Sequence, residues 1–310
     1  MPAVITHHIF GEDASRLLPD ELLSSEEELL AFLLGNQGPD PLWARARTLP
    51  WRALPCHRLA SAMHATKTVE SLLVARKTTT RVREDDKGIA RAFCLGLAAH
   101  YLLDSFVHPL VYAQQRALME AGEDLADAGS EIHAIIESDI DSWMLWQKRQ
   151  KTVLDSPASS ALVTTERINH IVGALMAQVG WKVYGIEIGT LEYGHAVGDY
   201  QLLYRLIDPP ATRIPRLLST AERVVRPHSK FMALTHRVTC SDECESANLD
   251  HVAWRDPESG AISTASVADL FHDALMSWPL FSKRFVEGDE AWLAAAIDNI
   301  NYYGRISPAE

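Results

Sequence analysis

Cysteine is scarce in this chain, with four residues in 310 (Cys56, Cys94, Cys240 and Cys244). They are too few and too scattered for a disulfide framework. Cys240 and Cys244 (CSDEC) have no second pair and no His at finger spacing, and read as ordinary loop thiols. Positive charge is also in deficit: 29 basic against 41 acidic residues leave a formal charge of −12. That balance argues against non-specific binding to nucleic acid or an anionic membrane, so an anionic substrate needs a local cationic site. A long unbroken apolar run is missing as well. The most apolar segment, GIARAFCLGLAAHYLLDSFVHPLVYA, is interrupted by Arg91, His100, Asp104 and His108. It falls short of the roughly 18 residues that suggest a membrane span. No transmembrane helix is expected, and no stretch reads as combining a basic face with an aromatic one. The opening MPAVITHHIFGEDA lacks a basic region followed by an apolar stretch and cleavage site, so a cytoplasmic location is the expectation.

Alternating β-branched or aromatic runs are rare, whereas helical periodicity dominates, and 47% hydrophobic residues can bury a substantial core. The expected class is all-α: a multi-helix bundle forming a single domain over 1–310, with metal-site residues in 1–150 and a helical C-terminal part over 151–310. Ser25 and Glu28 make a capping box for a helix through LLAFLLG, which stops at GNQGPDP and leaves Asp40 on the following loop. A helical stretch is expected over 55–82, and another begins near Gly88. Pro109 lacks the N–H that would bond to Ser105, which predicts a kink or restart there. Ser130 is the expected N-cap of the helix carrying HAIIE. Further helices are expected around 165–183, 190–207, 211–226, 266–286 and 289–303, with an irregular insert near 227–265.

Within AHYLLDSFVHP, His100, Asp104 and His108 recur at steps of four. A helix turns 100° and rises 1.5 Å per residue, so the three drift by about 80° over roughly 12 Å of axis. They share a face but lie too far apart for one ion to use both histidines, given metal–ligand bonds of about 2.0–2.2 Å. Two ions with Asp104 between them satisfy the spacing. Left unsatisfied among Ala, Leu, Phe and Val, each polar group would cost about 1–3 kcal/mol. His133 and Glu137 repeat the four-residue step on another helix. Asp40, His64 and one of His7 or His8 would complete a thiolate-free cluster suited to zinc, with manganese or iron as alternatives. His195 with Asp199 reads as a local pair, and His272 with Asp273 as the polar edge of an amphipathic helix.

Several stretches together resemble the zinc-dependent phospholipase C family in its broad bacterial branch: ITHHIFG (5–11), LLGNQGPDP (33–41), MHATKT (63–68), AHYLLDSFVHP (99–109) and HAIIE (133–137). NLDHVAWRDPESGAISTASVADL (248–270) is similar to a C-terminal stretch of the same branch. The resemblance implies the all-helical fold shared by phospholipase C and the zinc-dependent single-strand nucleases. It implies Asp40, His64, His100 and Asp104 around one zinc ion, and His108, His133 and Glu137 around a second. A third ion would use His7, with Asp104 bridging. His8 and His57 stay open as alternatives to His7 and His64. Secreted members also use their processed amino terminus and space the Asp104 and His108 equivalents more widely, so two ions are the firmer expectation. The implied activity is hydrolysis of a phosphodiester, with a phospholipid among the implied substrates, Asp40 as ligand and general base and Asp104 as the shared carboxylate. Alternatives are a zinc-dependent nuclease or phosphatase, for which the net charge disfavours a stable nucleic-acid complex, and a metal-binding helical protein without turnover.

Overall fold

A computed structural model describes residues 4–122, 125–209, 222 and 228–307. The described residues are 68% helical, with 11 α-helices among them. In chain order they are α1 (Val4–Ser15), α2 (Glu26–Gly35), α3 (Pro50–Ala65), α4 (Thr68–Thr79), α5 (Lys87–Ala121) and α6 (Gly129–Arg149). α7 (Glu166–Tyr184), α8 (Glu192–Ile207), α9 (Lys230–Ala233), α10 (Val267–Glu287) and α11 (Glu290–Ile297) follow. The expected helix over 211–226 lies outside the described residues.

α5 is the axis of the molecule. Its residues from Ile89 to Val111 are largely buried, and α1, α2, α4, α6, α7 and α10 all pack against it. It has the length and composition of a membrane span, yet 78% of its most apolar window is buried inside the protein, as befits a core helix. The expected break at Pro109 does not occur; the helix continues to Ala121. The proline forfeits a single intrahelical hydrogen bond. Packing outweighs that loss: the C-terminal segment lies so close that a Cβ on Gly304 would come within 2.6 Å of the Pro109 ring.

α2 starts where Ser25 Oγ accepts the Glu28 N–H, but the Glu28 carboxylate accepts from Ser24 N–H and Oγ–H, so only half of the expected capping box forms. α2 crosses α5 at two glycines. A Cβ on Gly35 would sit 2.3 Å from the Phe93 carbonyl oxygen, and one on Gly96 would sit 2.1 Å from that of Phe32. Only glycine permits such backbone contact, and it lays the 36–40 loop against His100.

The single helix expected over 55–82 is two, α3 and α4, because Lys67 adopts φ 55° between them. α6 begins at Gly129 without a side-chain cap; Ser130 Oγ–H donates to Glu131 instead of capping. Ser266 and Asp269 make a reciprocal capping box at the start of α10. Of the insert expected near 227–265, the described residues 228–265 are irregular, but include α9 and a short antiparallel hairpin pairing Trp254 with Ser263. α11 ends earlier than expected, at Ile297, where Asp298 and Asn299 take left-handed conformations and turn the chain back toward α5.

Candidate metal centre

Five elements converge on the middle of α5. α5 contributes His100, Asp104 and His108; the C-terminal turn of α3 contributes His64; α6 contributes His133 and Glu137; α1 contributes His7; and Asp40 opens the 3-10 turn after α2. All eight are buried. His64 Nε2 lies 3.0 Å from Asp40 Oδ1, His100 Nε2 lies 3.3 Å from Asp104 Oδ2, and His7 Nε2 lies 3.0 Å from Asp104 Oδ1. Further along α5, Glu137 Oε1 stands 3.1 Å from His133 Nε2 and 3.5 Å from His108 Nε2. Donor atoms fall into three sets, each with mutual separations within 4.8 Å: His7, His100 and Asp104; Asp40, His64 and His100; His108, His133 and Glu137.

The outer contacts of the imidazoles decide what these atoms can do. His64 Nδ1 faces the Ala60 carbonyl at 2.8 Å, His100 Nδ1 that of Asn36 at 2.9 Å, and His108 Nδ1 that of Tyr302 at 2.7 Å. A carbonyl only accepts, so each Nδ1 carries hydrogen. In the neutral ring Nε2 then presents a lone pair inward. His133 Nδ1 makes the equivalent contact with Gln115 Oε1 at 3.0 Å. Inside the cluster, His100 Nε2 and both carboxylate oxygens of Asp40 are buried without a hydrogen-bond partner. Oriented imidazoles, carboxylates and orphaned acceptors fit zinc, whose borderline chemistry suits this N/O donor set.

These groups share charge with one another. Burial works against ionising Asp104, but His108, His100 and His7 outweigh it and hold the carboxyl well below its usual range. Burial likewise opposes a charge on His108, yet Asp104 and Glu137 push its pKa up to about 9. His100 is raised in the same way by Asp104 and Asp40. Burial, reinforced by neighbouring His100, lowers His7; burial also lowers His133 despite Glu137.

The alternatives separate by direction. His8 faces Glu12, 3.6 Å away on the outer side of α1, and His57 Nε2 contacts the Arg45 carbonyl at 2.8 Å; neither enters a donor set. Asp199 is tied to the backbone N–H groups of Ala46 and Arg47 and to both guanidinium groups of Arg45 and Arg47, while His195 is exposed. That network braces the turn carrying Asp40 and Trp43. His272 and Asp273 are exposed on α10, and Cys240 and Cys244 are free thiols.

Three supports escaped the sequence reading. Asp141, one turn beyond Glu137 on α6, accepts from Ile5 N–H, Thr6 N–H and Thr6 Oγ–H at 2.9, 2.7 and 2.6 Å, capping the helix that carries His7. His236 bridges Asp141 and Asp208 through its two ring nitrogens. The stripe His133, Glu137, Asp141 was a signal at helical spacing; the bridge to His236 had none. From the C-terminal turn, Tyr302 supplies the carbonyl for His108, and Tyr303 stacks on His64 with centroids 5.6 Å apart. Trp43 also stacks on His64, at 4.4 Å.

The centre adjoins a cavity of about 910 Å³. His133, Trp43, Tyr112 and Tyr303 stand on its wall, and Leu203 and Phe231 contribute to its apolar lining. No curated protein and no solved structure matches the chain. A sequence model described as zinc dependent phospholipase C matches residues 6–180, the segment that contributes all eight converging side chains. The match covers more than half of the 310 residues, and the chain belongs to the zinc-dependent phospholipase C family.

Proposed function

We propose that the protein is a zinc-dependent hydrolase of phosphoric esters that cleaves a phosphodiester in the manner of a phospholipase C. In this reading Asp40, His64, His100 and Asp104 hold one ion and His108, His133 and Glu137 a second, while His7 with Asp104 serves a third. The observation that carries it is the set of imidazoles whose Nδ1 hydrogens are engaged outward, leaving Nε2 to face carboxylates across a shared space. A structural zinc site is closed by its ligands; this one borders a cavity large enough for an organic substrate, which supports turnover over a purely structural role.

When bound, zinc supplies Lewis acidity toward phosphoryl oxygens and lowers the pKa of water toward neutrality. Asp40, with both oxygens lacking donors, is placed to accept the proton of an attacking water. Asp104 lies between the histidine groups and orients His7, His100 and His108 by charge. Trp43 and Tyr303 flank His64 and keep bulk water from that side. Lys230 and Arg47 on the cavity wall offer local positive charge in an acidic chain.

Elemental analysis of protein purified without added metal should give at least two zinc equivalents. Phosphatidylcholine, a soluble phosphodiester, a phosphomonoester and single-stranded DNA should then be compared as substrates, with turnover of the diester lost in Asp104→Asn. Absence of bound metal sinks the reading, and zinc without turnover on any of the four substrates establishes the non-catalytic alternative.

A further inference from the structure

Residues 41–69 contain Arg45, Arg47, Arg52, Arg58 and Lys67 and no Asp or Glu, in a chain whose net charge is −12. Within this stretch α3 is apolar on two faces. Ala53, Cys56, Leu59, Ala60 and Met63 point into the core, as an amphipathic helix requires. The opposite side carries Trp51 and Leu54, 66% and 58% exposed, followed one turn later by exposed Arg58. Leu49, just before the helix, is 51% exposed. No segment is expected from sequence to join basic and aromatic character; the fold assembles one by turning these side chains outward together.

The charge of this face is set from beneath. Asp199 and Glu192, both buried, pair with Arg45, Arg47 and Arg52. Arg47 and Arg52 nonetheless leave 61% and 63% of their side chains exposed. Exposed Glu187 lies across a crevice from Trp51 and is the acidic counterweight on that side. Arg47 and His57 also line the cavity beside the metal centre, and Leu54 lies one turn from His57 on α3. The far end of the same helix carries His64. Exposed apolar patches rimmed by polar groups mark interaction surfaces, and Trp beside Arg suits the boundary between headgroups and acyl chains.

We infer that Leu49, Trp51 and Leu54, flanked by Arg47, Arg52 and Arg58, form a docking face for a phospholipid bilayer, with the indole and leucines in the acyl boundary and the guanidinium groups at the phosphates. Arg47 joins the face to the cavity beside the metal centre, and the inference rests on the phospholipase C reading proposed above.

The test is co-sedimentation of the zinc-loaded full chain with sucrose-filled vesicles of equimolar phosphatidylcholine and phosphatidylglycerol, on ice and over short times. It is paired with hydrolysis of bis-p-nitrophenyl phosphate in vesicle-free buffer. Wild type should partition onto vesicles. Trp51→Asp with Leu54→Asp should partition at least tenfold less while hydrolysing the soluble diester as wild type does. Wild type that stays in the supernatant, or a variant that binds equally, overturns the inference. So does a variant whose only change is in self-association by analytical ultracentrifugation, which would make the face a protein contact. Vesicle binding lost in the variant, with no hydrolysis of any diester by wild type, keeps the docking face and removes the catalytic reading.

Discussion

Gly38 offers the sharpest test of how the 36–40 loop sets the central histidine. Its φ is +55°, and a Cβ there would lie 2.3, 2.5 and 2.6 Å from Cδ2, Nε2 and Cγ of His100. The ring cannot yield cheaply: it is fully buried and its Nδ1 is held by the Asn36 carbonyl. The loop is restrained too, since the Tyr193 hydroxyl donates to the Gly38 carbonyl at 2.7 Å. Gly38→Ala therefore combines about 1–2 kcal/mol for an L-residue in the left-handed region with about 1–3 kcal/mol for overpacking a fixed core. Gly185 supplies the control, because its φ is +63° and nothing lies within 4 Å of its Cβ position. Gly185→Ala should show only the backbone cost. Denaturant unfolding of the two metal-free variants should differ by about 1–3 kcal/mol, the overpacking share. Displacing His100 should in addition weaken zinc in a chelator competition by about tenfold or more, since each 1.4 kcal/mol is a factor of ten. A Gly38→Ala protein with the stability of Gly185→Ala and wild-type zinc affinity would refute the claim that this loop fixes His100.

Three further outcomes follow from the same geometry. Asp141→Asn should cost about 3–5 kcal/mol, the range for removing one partner of a buried ion pair, and should loosen the start of α1; a denaturation midpoint unchanged from wild type would contradict the clamp. His236 is opposed by burial but raised from 6.5 to about 10 by Asp141 and Asp208. Its stabilising contribution is present in full below pH 6.5 and falls by up to ~1.4 kcal/mol per pH unit as pH rises to about 10. Unfolding midpoints of wild type and His236→Gln should therefore converge toward alkaline pH, and parallel curves would count against the assignment. Finally, His108, raised to about 9 in the metal-free protein, must lose its proton to become a ligand. Zinc uptake at neutral pH should release at least one proton, read as a difference in titration heat between buffers of unequal ionisation enthalpy. Identical heats would show that His108 does not take up zinc.

How much of the centre was legible depended on whether a helix could encode it. His100, Asp104 and His108 fall on one face because backbone geometry alone sets a four-residue step, and His133 with Glu137 repeats that step. Pro109 shows the limit of local rules. It predicts a break, yet the helix runs on through it with the distant C-terminal segment packed against the proline ring. Residue spacing left His7 and His8 open, with only the family resemblance favouring His7; adjacent residues point about 100° apart on a helix, and the docking of α1 against α5 and α6 turns His7 inward.

The sequence by itself determined the helical class, the central apolar helix and the donor types at helical spacing, because these follow from periodicity and side-chain chemistry within a few turns. Tertiary structure decided which donors meet. The contact of Gly35 with Gly96 brings Asp40 beside His100, the Tyr302 carbonyl orients His108 across 194 residues of sequence, and Asp141 caps a helix 135 residues before it. It also decided that Trp51 and Leu54 face outward. Such partners are joined by packing and by backbone groups that carry no residue identity, so no spacing in the chain announces them.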